Sequence, residues 1–532
     1  FLSKMLRGSS ILFSGSFASR GDFYLKNDFI NKIYYYYLNR GLSNIVLNEI
    51  VSVLISSFIF FLIIFMINCI DYTGIISVEN DNERENLSDF IDINNFFNLH
   101  WMFWVVLVTF FAYIFFKVLG ILDKIRIYKK VKSFYNNDLN ISNNEIKTIS
   151  WEGIVERIFN KYNHSKFDVY NVAGRITVED NFMISLFDKD IISLSCLTDL
   201  MHWNLTYCII HCIFNEEQKI HIDFFSNIEK YVKSVKKRLF YVSLVNFIMM
   251  PFILVFLFFV NFFTYCENFY SKPGAFINYN WTKLAHWKFR YYNELYHNFH
   301  QRLKMAEKPS GEYLNQFPNK LLESVTKFVV FVLSSLFSVL VILALVNENI
   351  LVNLNILGKS IIWYITILGS IAAVLRATIS DKIVYFPREK MAEIKEKIEF
   401  IPDEWVNKAN SSDIKNRFSR FYQYKIITIL TNIVYTFLVP FHLWYIYFDA
   451  KNIVKFIKRT AVKHPQMGYI CKYSLFDNID TAQGNIDRKT LASYYNFKEV
   501  PNNITGSNNP NYSGSMSLSA SLNLGICAKL RT

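Results

Sequence analysis

The residues of most chemical consequence in this sequence are polar ones set inside apolar runs. Lys117 lies sixteen residues into the run that opens at Trp101, and Arg376 about fifteen into the run from Ile361. Asn246 and Asn261 lie in a third run, Leu239 to Phe263, which also carries Pro251 near its middle. A cation at mid-bilayer depth costs roughly 2.5 to 3.5 kcal/mol, so each must either snorkel to an interface or line a hydrated cavity between helices. A cavity walled by amides and bases and open to lipid suits a phospholipid headgroup. The head slides along the polar wall while the acyl tails stay in hydrocarbon, and no energy source is needed. Composition alone does not separate this from an ion pathway.

Other chemistries find less support. No Walker loop, GxSxG elbow, HExxH or GxGxxG follows a suitable strand, so neither a nucleotide-driven pump nor a hydrolase is indicated, and no enzyme activity is expected. His297 and His300 stand beside Glu294, but the spacing is also that of an ordinary charged helix face, which is the preferred reading. The seven cysteines form no CxxC pair; Cys208, His211 and Cys212, in the apolar word LTYCIIHCIF, read as small buried residues of a helix. No metal or cofactor is expected.

The elements that must position these residues follow from the distribution of charge. Of 532 residues, 52% are hydrophobic and 19% charged, and the apolar ones collect into runs of about 15 to 25, as membrane helices do. The net charge of +13 sits beside those runs, which suits anionic headgroups better than nucleic acid. The chain begins at Phe1, and a preceding sorting segment is left open. Residues 1–27 read as flexible, and Tyr34 to Tyr37 with Lys32 and Arg40 as an aromatic and basic collar where the chain meets a membrane. A first span, about Ile50 to Ile70, leads to a loop, Asp71 to His100, with seven acidic residues and only Arg84 as a base. By the positive-inside tendency that loop is lumenal. The second span, Trp101 to about Leu122, returns to a cytoplasmic region at 123–238, in which Trp151 to Phe159 docks on its neighbours and Met201 to Phe214 lies at the interface or under the bundle.

If Leu239 to Phe263 crossed, the segment Thr264 to Ser324, with eight basic and five acidic residues, would become lumenal. A re-entrant hairpin turning near Pro251 keeps it cytoplasmic. Phe328 to Val346 and Ile361 to about Ile379 then read as the third and fourth spans, and Ile426 to Phe448 repeats the first hairpin around Pro440. The expected fold is an all-α integral membrane protein with four transmembrane helices, two re-entrant hairpins and cytoplasmic helices. Its divisions are 1–27, 28–122, 123–238, 239–324, 325–380, 381–477 and a disordered tail, 478–532.

Particular words point further. NCIDY at Asn68, WEGIVERI at Trp151, NVAGRITVEDNFMISLFDKDII at Asn171, LTDLMHWNL at Leu197, LAHWKFRYYNELYHNFHQRL at Leu284, PDEW at Pro402, FYQYKI at Phe421 and GYICKYSLFD at Gly468 resemble, in order, the autophagy-related protein 9 family. The resemblance covers about residues 29 to 477. It implies four spans and two re-entrant elements, an interlocked homotrimer, and phospholipid scrambling between leaflets. It further implies residence on Golgi- and endosome-derived cytoplasmic vesicles and the phagophore membrane, with autophagy-related protein 2, a lipid-transfer protein, as partner. The implied lipid path runs beside the first hairpin and fourth span, adding Lys272, Arg290, Glu294, Thr366 and Arg376 to Lys117, Asn246 and Asn261. Where some relatives carry a Lys-Arg-Glu cluster, this chain has Tyr270, Ser271 and Lys272 before Pro273. The alternative function is a trimeric scaffold that recruits autophagy proteins without transport of its own; a solute channel ranks third.

Overall fold

The computed structural model describes residues 27–502 apart from 78–89, 93–94, 96–100, 163–168, 194–196, 216, 272–277, 318–319, 347–354, 357–358, 378–384 and 478–486. The chain opens with α1 (Asn27–Leu38), α2 (Leu42–Asn68), the short α3 (Tyr72–Ser77) and α4 (Trp101–Ser133). Then come α5 (Trp151–Tyr162), α6 (Val169–Asp188) and α7 (Asp199–Leu205), which runs on through a π-helical turn to Ile213. The 44-residue α8 (Ile228–Ser271) precedes β1 (Tyr279–Trp281), α9 (Lys283–Lys288), α10 (Tyr296–Asn315) and α11 (Lys320–Val346). A small hairpin, β2 (Asn355–Ile356) and β3 (Lys359–Ser360), leads into α12 (Ile361–Ala377). The remainder comprises α13 (Pro387–Lys397), α14 (Asp403–Asn407), α15 (Ser412–Phe418), β4 (Tyr422–Tyr424), α16 (Lys425–Thr460), the hairpin β5 (Ala461–His464) and β6 (Gly468–Cys471), and α17 (Arg488–Asn502).

Among the described residues, four helices are long and apolar enough to cross a membrane: Leu42–Asn68, Ile228–Phe263, Glu323–Val346 and Lys425–Thr460. Two of them contain the prolines at which the sequence predicts reversals. The chain does not turn back at either: α8 passes through Pro251 and α16 through Pro440 without a break. An interior proline costs about 3 kcal/mol. The two helices pack antiparallel along their lengths, with Phe240 against Trp444 and Phe247 against Phe441. Burial of side chains such as Val439, Leu443 and Ile446, at about 1.5–3 kcal/mol each, outweighs the proline. The Ser243 hydroxyl also donates to the Pro440 carbonyl at 2.8 Å, tying the two helices together at the proline.

Most of the remaining helices pack together into a body around shared hydrophobic cores. The largest core joins α6, α7 and the Thr206–Ile213 turns to the first turns of α8, the second half of α16 and the β5–β6 hairpin. A second core joins α1, the end of α4 and α5. Here Tyr34, Tyr36 and Tyr37 are buried, meeting Trp151, Tyr135 and His297, so the expected membrane collar is instead an internal aromatic cluster. Tyr34 and Tyr37, one helical turn apart, share a face that meets Trp151 and His297, and Tyr36 packs separately on Tyr135. A third core builds on α10, α13, α15 and the β1–β4 pair. Trp287 of α9 links it to the first by packing on Phe187 at 5.3 Å. Met201 to Phe214 is internal to the first core rather than interfacial.

Both ends of α16 are fastened to this body. At its start the Lys425 N–H donates to the Asn278 carbonyl at 2.9 Å, continuing the β4–β1 pairing. At its end Ile453, Val454 and Ile457 lie in the first core and Lys458 donates to the Phe225 carbonyl. The tail expected to be disordered from 478 holds a helix at 488–502: Tyr292 donates its N–H to Ser493, and Phe497 packs on Tyr170 and Phe476. Its apolar residues, Ala492, Tyr494 and Phe497, recur at helical spacing within a polar stretch and find a partner surface.

Candidate functional site

Two polar assemblies are built into this fold. The first lies between α2 and α4. Glu49, Ser52 and Ser56 recur on one face of α2, and Lys117 and Lys124 stand two turns apart on α4. The helices run antiparallel, so these residues meet in pairs. Lys124 forms an ion pair with Glu49, and the Lys117 ammonium donates to the Ser52 hydroxyl at 2.9 Å and lies 5.6 Å from the Tyr113 ring centre. Lys117 is 2% exposed, so it does not snorkel out of the chain; it points into the contact between helices. Glu49, Ser52 and Lys124 were not among the residues picked out as path candidates. The i, i+3 and i+7 spacing of Glu49, Ser52 and Ser56 was the available signal, masked because Lys124 also fits a charged flank.

The second assembly lies where α6, the α9–α10 connection and the β6 exit converge. Arg290 donates to Asp180 at 2.8 Å, and Glu294 takes a bidentate pair from Arg302 at 2.9 and 2.8 Å while accepting the Tyr291 N–H. Asn293 adopts the left-handed conformation, φ 58°, and holds the centre: its side-chain Oδ1 accepts from Asn181 Nδ2 and its side-chain Nδ2 donates to the Ser474 carbonyl, both at 2.8 Å. Gly174 lets the β5–β6 turn approach, since a Cβ there would lie 2.5 Å from the Met467 sulfur. Burial by itself pulls the Arg302 guanidinium down, but Glu294 more than offsets it and leaves the group above its ordinary value. Burial lowers the His297 imidazole, whose Nδ1 is bonded to the Tyr34 hydroxyl at 2.8 Å. These groups fix the body's parts to one another.

The other expected residues are dispersed. Asn246, buried, and Asn261, half-buried, each donate to their own helix, at the Val242 and Leu257 carbonyls. Thr366 does the same at Ile362 and is exposed, as is Arg376 in the last turn of α12. Lys272 lies outside the described residues. Arg290 and Glu294 belong to the second assembly, Lys117 to the first.

The comparisons agree with one another. Residues 26–477 match the family described as autophagy protein ATG9. The autophagy-related protein 9 of Kluyveromyces lactis is 29% identical over 90% of this chain and 55% of its own length, and that of Yarrowia lipolytica 28% identical over 92% and 66%. The chain thus spans about half the length of several of the curated relatives it matches. The cryo-EM structure of Schizosaccharomyces pombe Atg9 superposes with a TM-score of 0.64 at 24% identity, covering 85% of this chain and 98% of that one, and supports the fold. With the family matched over most of its length, the chain belongs to the ATG9 family of autophagy proteins.

Proposed function

We propose that this chain moves phospholipids between leaflets, without an energy source, on the membranes from which autophagosomes grow. The observation that carries the reading is the polar seam between α2 and α4. A lysine is kept inside an apolar helix pair and faced with hydroxyl and carboxylate partners, although burying it there is costly. In this reading α2, the first two-thirds of α4, α11 and α12 cross the bilayer. Helices α8 and α16 lie side by side with their apolar middle turns sunk into one leaflet and their ends on the same face, because both ends of α16 are fastened to one polar body. Their outward faces, including Phe247, Phe258, Phe437 and Phe441, are apolar and exposed, as lipid contact requires. The chain works as a homotrimer on Golgi- and endosome-derived vesicles and the phagophore membrane, receiving lipid from a transfer protein of the autophagy-related protein 2 type. Lys117 and Asn246 line the path; Arg290 and Glu294 hold the body that carries it, and Thr366, Arg376, Asn261 and Lys272 serve its approaches.

The test is reconstitution into sealed vesicles carrying a headgroup-labelled fluorescent phospholipid, followed by a membrane-impermeant reductant. Inner-leaflet probe becomes reducible if the proposal holds. Full protection in protein-containing vesicles would oppose it and leave the scaffold role.

A further inference from the structure

The seam between α2 and α4 has a sequence of layers along its axis. Outermost is the Lys124–Glu49 pair, whose side chains are 21% and 10% exposed; next is Lys117 on Ser52, with Lys117 nearly sealed. Deeper, Ser56 donates to the Ser52 carbonyl and Tyr113 presents its ring to Lys117. The polar layers then stop at Phe60 and Phe110, stacked with ring centres 3.8 Å apart and planes 11° from parallel. From Glu49 to Phe60 is eleven residues, about 16 Å along the axis, or roughly half a hydrocarbon core. Beyond the rings a polar group recurs on α2: Asn68, whose buried amide nitrogen has no acceptor.

Two ammonium groups in successive layers, Lys124 on the Glu49 carboxylate and Lys117 on the Ser52 hydroxyl, are donors of the kind a phosphate oxygen takes, since charge-assisted donors bind it about twice as strongly as neutral ones. We propose that the seam is a phosphate site for the phosphodiester of a membrane phospholipid. In the structure Glu49 fills the place of that anion, and the stacked Phe60 and Phe110 rings are the barrier that a phosphate held on Lys117 must pass. A headgroup phosphate displaces the Glu49 carboxylate from Lys124, moves to Lys117 and Ser52, and waits there for the rings to part. Phosphate itself, not the rest of the head, is what the seam recognises. This deepens the scrambling reading and rests on it.

The experiment compares two fluorescent lipids in vesicles reconstituted with the full chain: labelled phosphatidylcholine and labelled glucosylceramide, which has a bulky polar head and no phosphate. Wild-type protein should move the first about tenfold faster than the second, the factor corresponding to one lost charge-assisted contact. Lys117→Met should remove that preference, Lys117→Arg should keep it, and Phe110→Ala should speed the phospholipid. Inorganic phosphate added outside should leave the rate unchanged, because in this proposal the phosphate arrives on a lipid anchored in the membrane. Competition by inorganic phosphate would mark a site for free anion and overturn the lipid assignment. Equal transport of both lipids, untouched by Lys117→Met, would overturn the phosphate site while leaving scrambling intact; no movement of either lipid by wild-type protein would sink both. The wild-type preference requires no variant to fold.

Discussion

The buried charges have opposite duties. In the body, Glu294 and Arg302 are almost wholly enclosed and satisfy each other bidentately, so removing one partner strands the other. Glu294→Gln should destabilise the detergent-solubilised protein by about 3–5 kcal/mol, read as a lowered melting temperature; an unchanged transition would contradict a stabilising role for the pair. Lys489 is a different case. It lies 3.5 Å from Asp188, donates to the Lys288 carbonyl and is covered by the Tyr292 and Phe400 rings, with Asp487 and Lys288 also acting on it. Burial lowers its ammonium from 10.5 to about 8. Between those values the undocked helix holds more protons than the docked one, so docking of α17 strengthens as pH rises through that window. Hydrogen exchange should show residues 488–500 better protected at about pH 9.5 than at about pH 7.5, after correction for the intrinsic rate. Lys489→Met should be protected equally at both, and a wild-type helix indifferent to pH would contradict this.

Among the elements, α8 and α16 depart furthest from what their residues suggested. The charge balance after Phe263 asks that the following segment share a side with the segment before it. It did not say how. A proline near the middle of an apolar run reads locally as a turn, and only the long antiparallel contact with a second such helix makes the straight form cheaper. Likewise Tyr34 to Tyr37 carried the composition of an interface and the geometry of a core, and composition alone does not choose between them. Single cysteines at Lys425 and Lys455, the two ends of the apolar part of α16, should both react with an impermeant maleimide from one side of sealed vesicles. Reaction of one end only would make α16 an ordinary crossing helix.

At the level of the whole chain, helical class, the apolar runs and the family words were legible, and the structure explains the words. NVAGRITVEDN supplies Gly174, Thr177, Asp180 and Asn181; WKFRYYNELY supplies Arg290, Asn293 and Glu294; GYICKYSLFD supplies Ser474; and they meet at one junction. Those residues hold the body together, and Arg290 and Glu294, implied by the resemblance as part of the lipid path, are among them. The α2–α4 seam was harder to read because its partners are 65 and 75 positions apart, and only antiparallel register joins Lys117 to Ser52 and Lys124 to Glu49. The most direct measurement is the reductant-accessibility assay on vesicles reconstituted with wild-type protein and with Lys117→Met. Scrambling by the α2–α4 seam predicts that wild-type protein exposes inner-leaflet phospholipid probe to the impermeant reductant and that the variant, equally folded and inserted, exposes much less. Inner-leaflet probe that stays protected with wild-type protein, or equal loss of protection with both proteins, would contradict it.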